Sequence, residues 1–124
     1  MSDDAVRLYA LRGATTVDHD TSEDIAARSA ELLGVVLDRN DVAIDDIVSV
    51  IFSATPDLRA DFPAVAARGI GLSHTPLLCC QEIAVEGAVA RCVRVLMHVY
   101  LPAGSTVHHV YLHNARQLRL DLSE

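Results

Sequence analysis

The chain has 124 residues, 51% of them hydrophobic, and a formal net charge of −7 at pH 7. This length and composition predict one domain with a sizeable core, spanning residues 1–124. The acidic balance argues against general binding to nucleic acid or to an anionic membrane, because both reward a positive surface, and leaves a small substrate or a protein partner.

The N-terminal half predicts two strands with one long helix between them. Residues 6–12 alternate loosely as a strand does, and residues 13–16 extend that strand or form a turn. Asp20 or Thr21 is expected to cap a helix that ends near residue 40 and carries an apolar stripe at helical spacing. That stripe consists of Ile25, Leu32, Leu33, Val36 and Leu37. Residues 47–53 form a continuous run rich in β-branched and aromatic residues, which predicts a strand covered on both faces.

The C-terminal half predicts one short helix and three more strands. Pro63 stands where a first helical residue would, residues 64–68 favour helix, and glycines follow. The strand candidates are residues 77–83, 91–100 and 108–112. Residues 114–124 are more polar and are expected to form a mobile tail. The predicted fold class is therefore α+β, with a five-stranded sheet and one long and one short helix packed on it.

The cellular compartment is predicted from the N-terminus, the hydropathy and the cysteines. The sequence begins with acidic residues rather than a signal peptide, and no stretch approaches the roughly 18 apolar residues of a membrane span. Three cysteines crowd into residues 79–92, which favours reduced thiols over a disulfide framework. We therefore expect a cytoplasmic protein that is not inserted in a membrane.

The adjacent Cys79 and Cys80 do not predict a metal site. Successive strand residues point to opposite faces, so the two thiols cannot chelate one ion, and neither Cys92 nor the six histidines restore zinc-like spacing. A catalytic cysteine would need a base or a cation beside it, which the sequence does not locate. We expect these cysteines to pack as small hydrophobic residues.

Arg94 is the most informative charged residue. Alternation along its strand places it in mid-strand among apolar neighbours, where an unpaired charge is costly. It therefore needs a carboxylate, either from a ligand or from the protein, and Glu82 at the end of the preceding strand is the protein candidate. A structural salt bridge and a substrate site both remain open at this point.

Arginine supplies all the basic side chains, since the sequence has no lysine. Any anion site must therefore use guanidinium groups, whose planar fork suits carboxylates. Arg12 ends an apolar strand and can project into a cleft, although an ordinary solvated strand end is the alternative. Arg68, Arg116 and Arg119 have the same alternative with more force, because surface arginines are common.

Short motifs run in order along almost the whole chain, from about residue 8 to residue 123. They are Arg12-Gly13-Ala14-Thr15-Thr16, Asp20-Thr21, Ser53-Ala54-Thr55-Pro56-Asp57-Leu58, Phe62-Pro63-Ala64 with Arg68, Pro76, Cys79, Gln81-Glu82, Arg94-Val95, His109-Val110-Tyr111-Leu112, Leu118-Arg119 and Asp121-Leu122-Ser123. This ordered set resembles the AroH-class chorismate mutases, which are small, monofunctional and trimeric.

The resemblance implies a mixed five-stranded sheet with helices on one side. It also implies a homotrimer closed into a pseudo-barrel, with active sites between neighbouring subunits. The implied reaction is the [3,3]-sigmatropic rearrangement of chorismate to prephenate, in phenylalanine and tyrosine biosynthesis, with no cofactor and no metal.

The resemblance also implies roles for individual residues. Arg94 would donate to the ether oxygen, Glu82 would hydrogen-bond the ring hydroxyl, and Arg12 and Tyr111 would bind carboxylate. The other expected substrate-binding residues line the wall or the entrance of the site: Phe62, Ala64, Arg68, Leu78, Cys79, Leu118 and Arg119.

Three positions depart from the family pattern. Val65 stands where some members have a basic residue, Leu78 where some have threonine, and Leu120 where the tail has proline. Two other interpretations stay open. One is a trimeric deaminase or hydrolase of the enamine-deaminase group, which also uses an interfacial arginine on a strand. The other is a module that senses carboxylates without turnover.

Overall fold

The structure is a computed structural model that describes residues 5–119. Its strands are β1 (Val6–Thr16), β2 (Ile47–Ala54), β3 (Leu77–Gln81), β4 (Cys92–Pro102) and β5 (Val110–Tyr111). Its helices are α1 (Ser22–Arg39), α2 (Ala64–Gly69) and two 3₁₀ helices, Ile44–Asp46 and His113–Arg119. The predicted α+β class is confirmed, with one long and one short α-helix.

The five strands form one mixed sheet in the order β3-β2-β4-β1-β5. The central strand β4 pairs antiparallel with β1 on one side and with β2 on the other, whereas β3 and β5 lie parallel to their neighbours at the two edges. The pairing of β1 with β4 continues to Thr16, so residues 13–16 extend the strand rather than turn.

Helix α1 begins and ends as its sequence indicates. The side chain of Thr21 accepts a hydrogen bond from the backbone N–H of Asp24, so Thr21 rather than Asp20 is the N-cap. The helix ends at Arg39. Most of its predicted stripe is buried, with Leu37 only partly so, and packs on the sheet.

Gly13 allows α1 to lie close to β1. A Cβ atom at this position would be 3.1 Å from Cδ1 of Leu32 and from Cγ1 of Val95 and 3.2 Å from Cγ2 of Val36. The absence of a side chain therefore sets how closely the helix packs against the sheet.

Both α-helices pack on the same face of the sheet, where Val50, Phe52 and Met97 are buried. The opposite face, which we call the open face, carries the residues that alternate with them. In β4 these are Arg94, Leu96 and His98, which are half-buried, and Tyr100, which is exposed. The prediction that β2 is covered on both faces is wrong for the single chain: Ile51, on the open face, is only half-buried.

Three strand boundaries differ from the predictions. β3 ends at Gln81 rather than residue 83, because the last backbone contact with β2 is made by the N–H of Glu82, after which the chain turns and Ile83 is exposed. β5 has two residues instead of five, because Asn40 takes up the backbone hydrogen bonds of His108: its Nδ2 donates to the carbonyl oxygen at 2.9 Å, and its Oδ1 accepts from the N–H at 2.7 Å. β4 runs from Cys92 to Pro102.

The segment after β5 folds over one end of the open face. In the 3₁₀ helix His113–Arg119, Ala115 is buried against Ala14 and Cys92. Residues 120–124 of the predicted tail, including Leu120, lie outside the described residues. Within residues 5–119, no helix is long and apolar enough to cross a membrane.

Candidate active site

A cleft on the open face, which we call the first cleft, has a volume of about 210 Å³. Three predicted site residues meet in it, Arg12 from β1, Arg94 from β4 and Tyr111 from β5. The sheet brings them together, because Ala14 is paired with Arg94 on one side and with Tyr111 on the other. The remaining lining residues are Gly13, Ala14, Ile51, Ser53, Val95 and Leu96.

Glu82 reaches Arg94 across the sheet. Glu82 follows β3, Arg94 lies on β4, and β2 separates these two strands. Oε2 of Glu82 lies 3.4 Å from Nε of Arg94, which confirms Glu82 as a protein partner of this arginine. The geometry is that of an ion pair but not of a hydrogen bond, since Nε of Arg94 is buried without a hydrogen-bond acceptor among residues 5–119. Both side chains remain partly exposed, 38% for Arg94 and 24% for Glu82, so a ligand can reach the pair.

Ser53 joins this pair, and the sequence analysis did not assign it a role. Its Oγ donates a hydrogen bond to Oε2 of Glu82, the same oxygen that faces Arg94. On β2, Ser53 lies directly opposite Arg94. One serine on a strand gives no local indication of such a role, and it becomes apparent from the strand order, which places β2 between β3 and β4.

Tyr111 lines the first cleft, and Leu118 packs on the same buried cluster as Tyr111. Both are partly buried and pack against the cluster formed by Ala14, Cys92 and Ala115. This packing places the 3₁₀ helix His113–Arg119 beside the cleft. Arg119 ends that helix, but its side chain lies outside the part of the chain that is described.

The second cleft, of about 500 Å³, contains two other predicted residues, Phe62 and Cys79. It lies between residues 54–63 and residues 79–81. Phe62 is 71% exposed, an unusual position for a large aromatic side chain. Phe62 and Cys79 therefore lie in a different cleft of the chain from Arg12, Arg94 and Tyr111.

Asp20 fixes the loop that forms one wall of the second cleft. Its Oδ1 accepts hydrogen bonds of 2.9 Å from the backbone N–H groups of Arg59 and Ala60. These contacts tie residues 56–62 to the start of α1. A carboxylate that accepts from two backbone amides is a strong local constraint.

Leu78, Arg68 and Ala64 line neither cleft. Leu78 is 57% exposed on the open face, opposite Ile51. Arg68 is exposed near the end of α2, whereas Ala64, in the first turn of α2, is buried in the core.

Cys92 lies on the same face of β4 as Arg94, two residues before it, and is fully buried. Burial raises the pKa of the Cys92 thiol; the charge of Arg94 opposes this shift, and that of Glu82 adds to it. Cys92 therefore stays protonated, as expected for a packed thiol rather than a nucleophile. Cys80, in contrast, is exposed in the single chain.

Asp57, in the loop after β2, accepts hydrogen bonds from residues that flank the site. Burial alone would raise its pKa, but hydrogen bonds from the Thr55 hydroxyl and the Arg91 backbone N–H outweigh burial and lower the pKa. The Thr55 side chain also accepts a 2.9 Å hydrogen bond from the backbone N–H of Cys92. These bonds join the loop after β2 to the start of β4, next to Arg94.

The first cleft offers two guanidinium groups beside an apolar wall, and Glu82 places a negative charge next to one of them. Such an arrangement can bind carboxylates and stabilise separated charge without a covalent step. Within residues 5–119, no group of three or more His, Cys, Asp or Glu side chains is placed to hold a metal ion.

Comparison with known proteins identifies the family. Residues 8–122 match the family model described as chorismate mutase type I. The chain is 42% identical over 115 residues to "Chorismate mutase AroH" of Bacillus subtilis (strain 168), covering 91% of each protein. It is 43% identical over 115 residues to the protein of the same name from Thermus thermophilus, covering 90% of this chain and 93% of that one.

A solved structure of a chorismate mutase from Clostridium thermocellum has the same fold. The TM-score is 0.83 at 43% sequence identity, and the match covers 88% of this chain and 98% of that one. Because a family model and relatives of this identity both match nearly the whole chain, the chain belongs to the type I chorismate mutase family.

Proposed function

We propose that this protein is a chorismate mutase that converts chorismate to prephenate by a [3,3]-sigmatropic rearrangement. The observation that carries the proposal is the meeting of Arg12, Arg94 and Tyr111 in one cleft, with Glu82 beside Arg94. Family membership supplies the substrate and the reaction. The geometry adds a charge pattern that suits that reaction.

The reaction needs electrostatic stabilisation rather than a nucleophile. As the ether C–O bond breaks, the enolpyruvyl oxygen becomes negative and the ring becomes positive. The guanidinium of Arg94 donates to that oxygen, while the carboxylate of Glu82 hydrogen-bonds the ring hydroxyl and faces the positive ring. Charges held by the folded protein act without reorganising during the reaction, which is why such groups contribute strongly to rate.

Substrate binding depends on local cations. Chorismate is a dianion and the protein has a net charge of −7, so the overall field does not attract it. Arg12 and Tyr111 bind carboxylate, and the cleft walls hold the folded conformer in which the reacting carbons meet. Arg68 and Arg119 act as auxiliary cations near the entrance.

The complete site forms between two copies of the chain in a homotrimer. One copy contributes the first cleft, with Arg12, Arg94 and Tyr111, and its neighbour contributes the second, with Phe62 and Cys79. The separation of these residues into two clefts of one chain supports this arrangement. So do the exposed apolar side chains of the open face, which a second copy would cover: Leu8, Leu78 and Tyr100.

We place the reaction in the cytoplasm, as part of phenylalanine and tyrosine biosynthesis. All three cysteines are free thiols, which agrees with a reducing compartment.

The proposal is tested by following the loss of chorismate absorbance with purified protein and identifying the product as prephenate. The wild type is expected to accelerate the reaction strongly over buffer. Arg94→Ala should lose roughly 10²–10³-fold in kcat, the range for removing one donor to a developing oxyanion. Arg94→Lys should stay well below wild type, because an ammonium group lacks the planar fork.

The same experiment separates the alternatives. Wild-type protein that binds chorismate in a calorimeter but does not turn it over would replace the mutase proposal with a carboxylate-sensing module. Sedimentation should report a trimer; a stable monomer with full activity would contradict a site shared between subunits.

A further inference from the structure

Glu82 makes three contacts at the site: one through its backbone N–H and two through its carboxylate. Its backbone N–H donates to the carbonyl oxygen of Ala54 at 2.9 Å, which fixes where the side chain leaves the chain. Its Oε2 then meets two groups, the Ser53 hydroxyl and Nε of Arg94. Among residues 5–119, no hydrogen bond is made to Oε1.

The contact with Arg94 is the less well aligned of the two. Nε of Arg94 is inaccessible to solvent and lies 3.4 Å from Oε2 without a hydrogen bond. Arginine–carboxylate pairs are frequently bidentate, and in such a pair each group occupies the other's donors and acceptors. In a site that must present both charges to a substrate, such a closed pair would reduce the stabilisation available in the transition state.

We propose that Ser53 is a positioning residue for the mutase reaction, which keeps Glu82 from closing onto Arg94. Its hydroxyl holds Oε2, so Oε1 stays available for the ring hydroxyl of the substrate. The terminal nitrogens of Arg94 likewise stay available for the ether oxygen. The role rests on the proposed mutase activity and adds to it a residue that touches neither reacting atom.

The sheet explains why a serine at this position can act in this way. Ser53 is paired with Arg94 on β4 and with Cys80 on β3, so its side chain lies on the open face between the arginine and the segment that carries Glu82. Directly opposed residues in a sheet have Cβ atoms only about 5 Å apart. A short side chain with a hydroxyl fits this space, whereas a longer polar one would extend into the cleft.

The test compares Ser53→Ala, Ser53→Cys and Ser53→Thr with wild type. Alanine removes the donor, cysteine keeps the size but donates weakly, and threonine restores a hydroxyl. We expect kcat to fall roughly ten- to a hundredfold for alanine and cysteine, the range for losing a hydrogen bond to a charged group, with a smaller change in KM. Threonine should recover most of kcat.

Two controls separate positioning from a general structural effect. Ser49→Ala removes a hydroxyl from the open face of the same strand, where it contacts His98 at 3.0 Å instead of a carboxylate, and should change kcat less than twofold. Adding Ser53→Ala to Glu82→Ala should also leave kcat unchanged, because the Ser53 hydroxyl acts through the Glu82 carboxylate.

The outcomes distinguish this proposal from the proposed activity. Wild-type kcat in Ser53→Ala, or the same loss of kcat in the presence and absence of Glu82, would overturn the role of Ser53 and leave the mutase activity intact. A wild-type protein without turnover would overturn both.

Discussion

The backbone N–H of Arg12 donates a 3.0 Å hydrogen bond to Nδ1 of His109, 97 positions later in the chain. Strand β5 pairs with β1 only at Gly13 and Ala14, so the imidazole ring supplies the next contact where strand pairing has stopped. The backbone of Arg12 is therefore held in place while its side chain remains exposed at the mouth of the first cleft.

Replacing Arg12 with alanine should weaken substrate binding more than it slows the chemical step. A cation that binds a carboxylate acts equally on bound substrate and transition state, so its loss appears mainly in KM. We expect KM to rise roughly tenfold or more, with kcat within a few-fold of wild type, as for loss of a charge-assisted hydrogen bond. Steady-state kinetics with chorismate measure both.

Arg116→Ala is the matched control, because this arginine is exposed on the 3₁₀ helix His113–Arg119 and does not line the first cleft. It should leave both constants nearly unchanged. Equal effects of Arg12→Ala and Arg116→Ala would contradict a specific role for Arg12.

If the active site is shared, two inactive variants should restore activity to each other. Arg94→Ala damages the first cleft, and Phe62→Asp places a negative charge in the second, which repels a dianion. Mixed trimers, made by co-expression with two tags, should contain some sites in which both halves are intact. Activity of the purified mixed species should exceed that of either variant alone.

A mixture of Arg94→Ala with Arg12→Ala is the control for this experiment. Both substitutions lie in the first cleft, so no site in the mixed trimer has an intact half of that type. Its activity should lie between those of the two variants alone. Restored activity in this control, or no restored activity in the first mixture, would rule out a site in which neighbouring subunits each supply one of the two clefts.

Asp57 should make stability depend on pH in the acid range. Because its pKa is lower in the folded state, the ionised carboxylate contributes stability that is complete above its unfolded-state pKa and is lost as pH falls through the folded value. Asp57→Asn should therefore be less stable than wild type at neutral pH, and the difference should close below about pH 4.

Urea unfolding across this pH range measures that difference. Asp45→Asn is the control, since Asp45 is exposed in the 3₁₀ helix Ile44–Asp46. A difference for Asp57→Asn that stays constant from neutral to strongly acidic pH would show that ionisation of this carboxylate does not matter.

Two glycine-to-alanine substitutions should have opposite effects on stability. At Gly13 the new methyl group would meet Leu32 and Val95 at 3.1 Å, and forcing α1 away from β1 should cost about 1–3 kcal/mol. At Gly34, within α1, nothing lies within 4 Å of the new atom, and alanine should add about 0.5–1 kcal/mol through helix propensity. Denaturation midpoints at one protein concentration test both.

The strands and helices could be predicted where local patterns decide them. The Thr21 cap and the apolar stripe locate α1, and the alternation around Arg94 assigns its face correctly. The sequence also predicts the pairing of Arg94 with Glu82, but on the ground that Glu82 ends the preceding strand. In the structure β2 lies between the two, and this order depends on long-range pairing that no local pattern contains.

The errors arise from contacts between distant parts of the chain. β5 is short because Asn40 satisfies the backbone of His108, and a side chain 68 positions away leaves no local signal. The apolar run in β2 predicts two covered faces, whereas the single chain covers one. Ser53 stands in one of the motifs of the family resemblance, but no local pattern indicates its role, which comes from lying opposite Arg94.

The two hydrogen bonds from the loop amides to Asp20 bear on the kinetics of substrate capture. They order the segment that leads to Phe62 when the protein folds. The entropic cost of fixing this segment is therefore not incurred each time a substrate binds. This wall of the second cleft is thus a preformed surface rather than a lid. Chorismate association should therefore show no slow phase from closure of residues 56–62, and Asp20→Ala should introduce one.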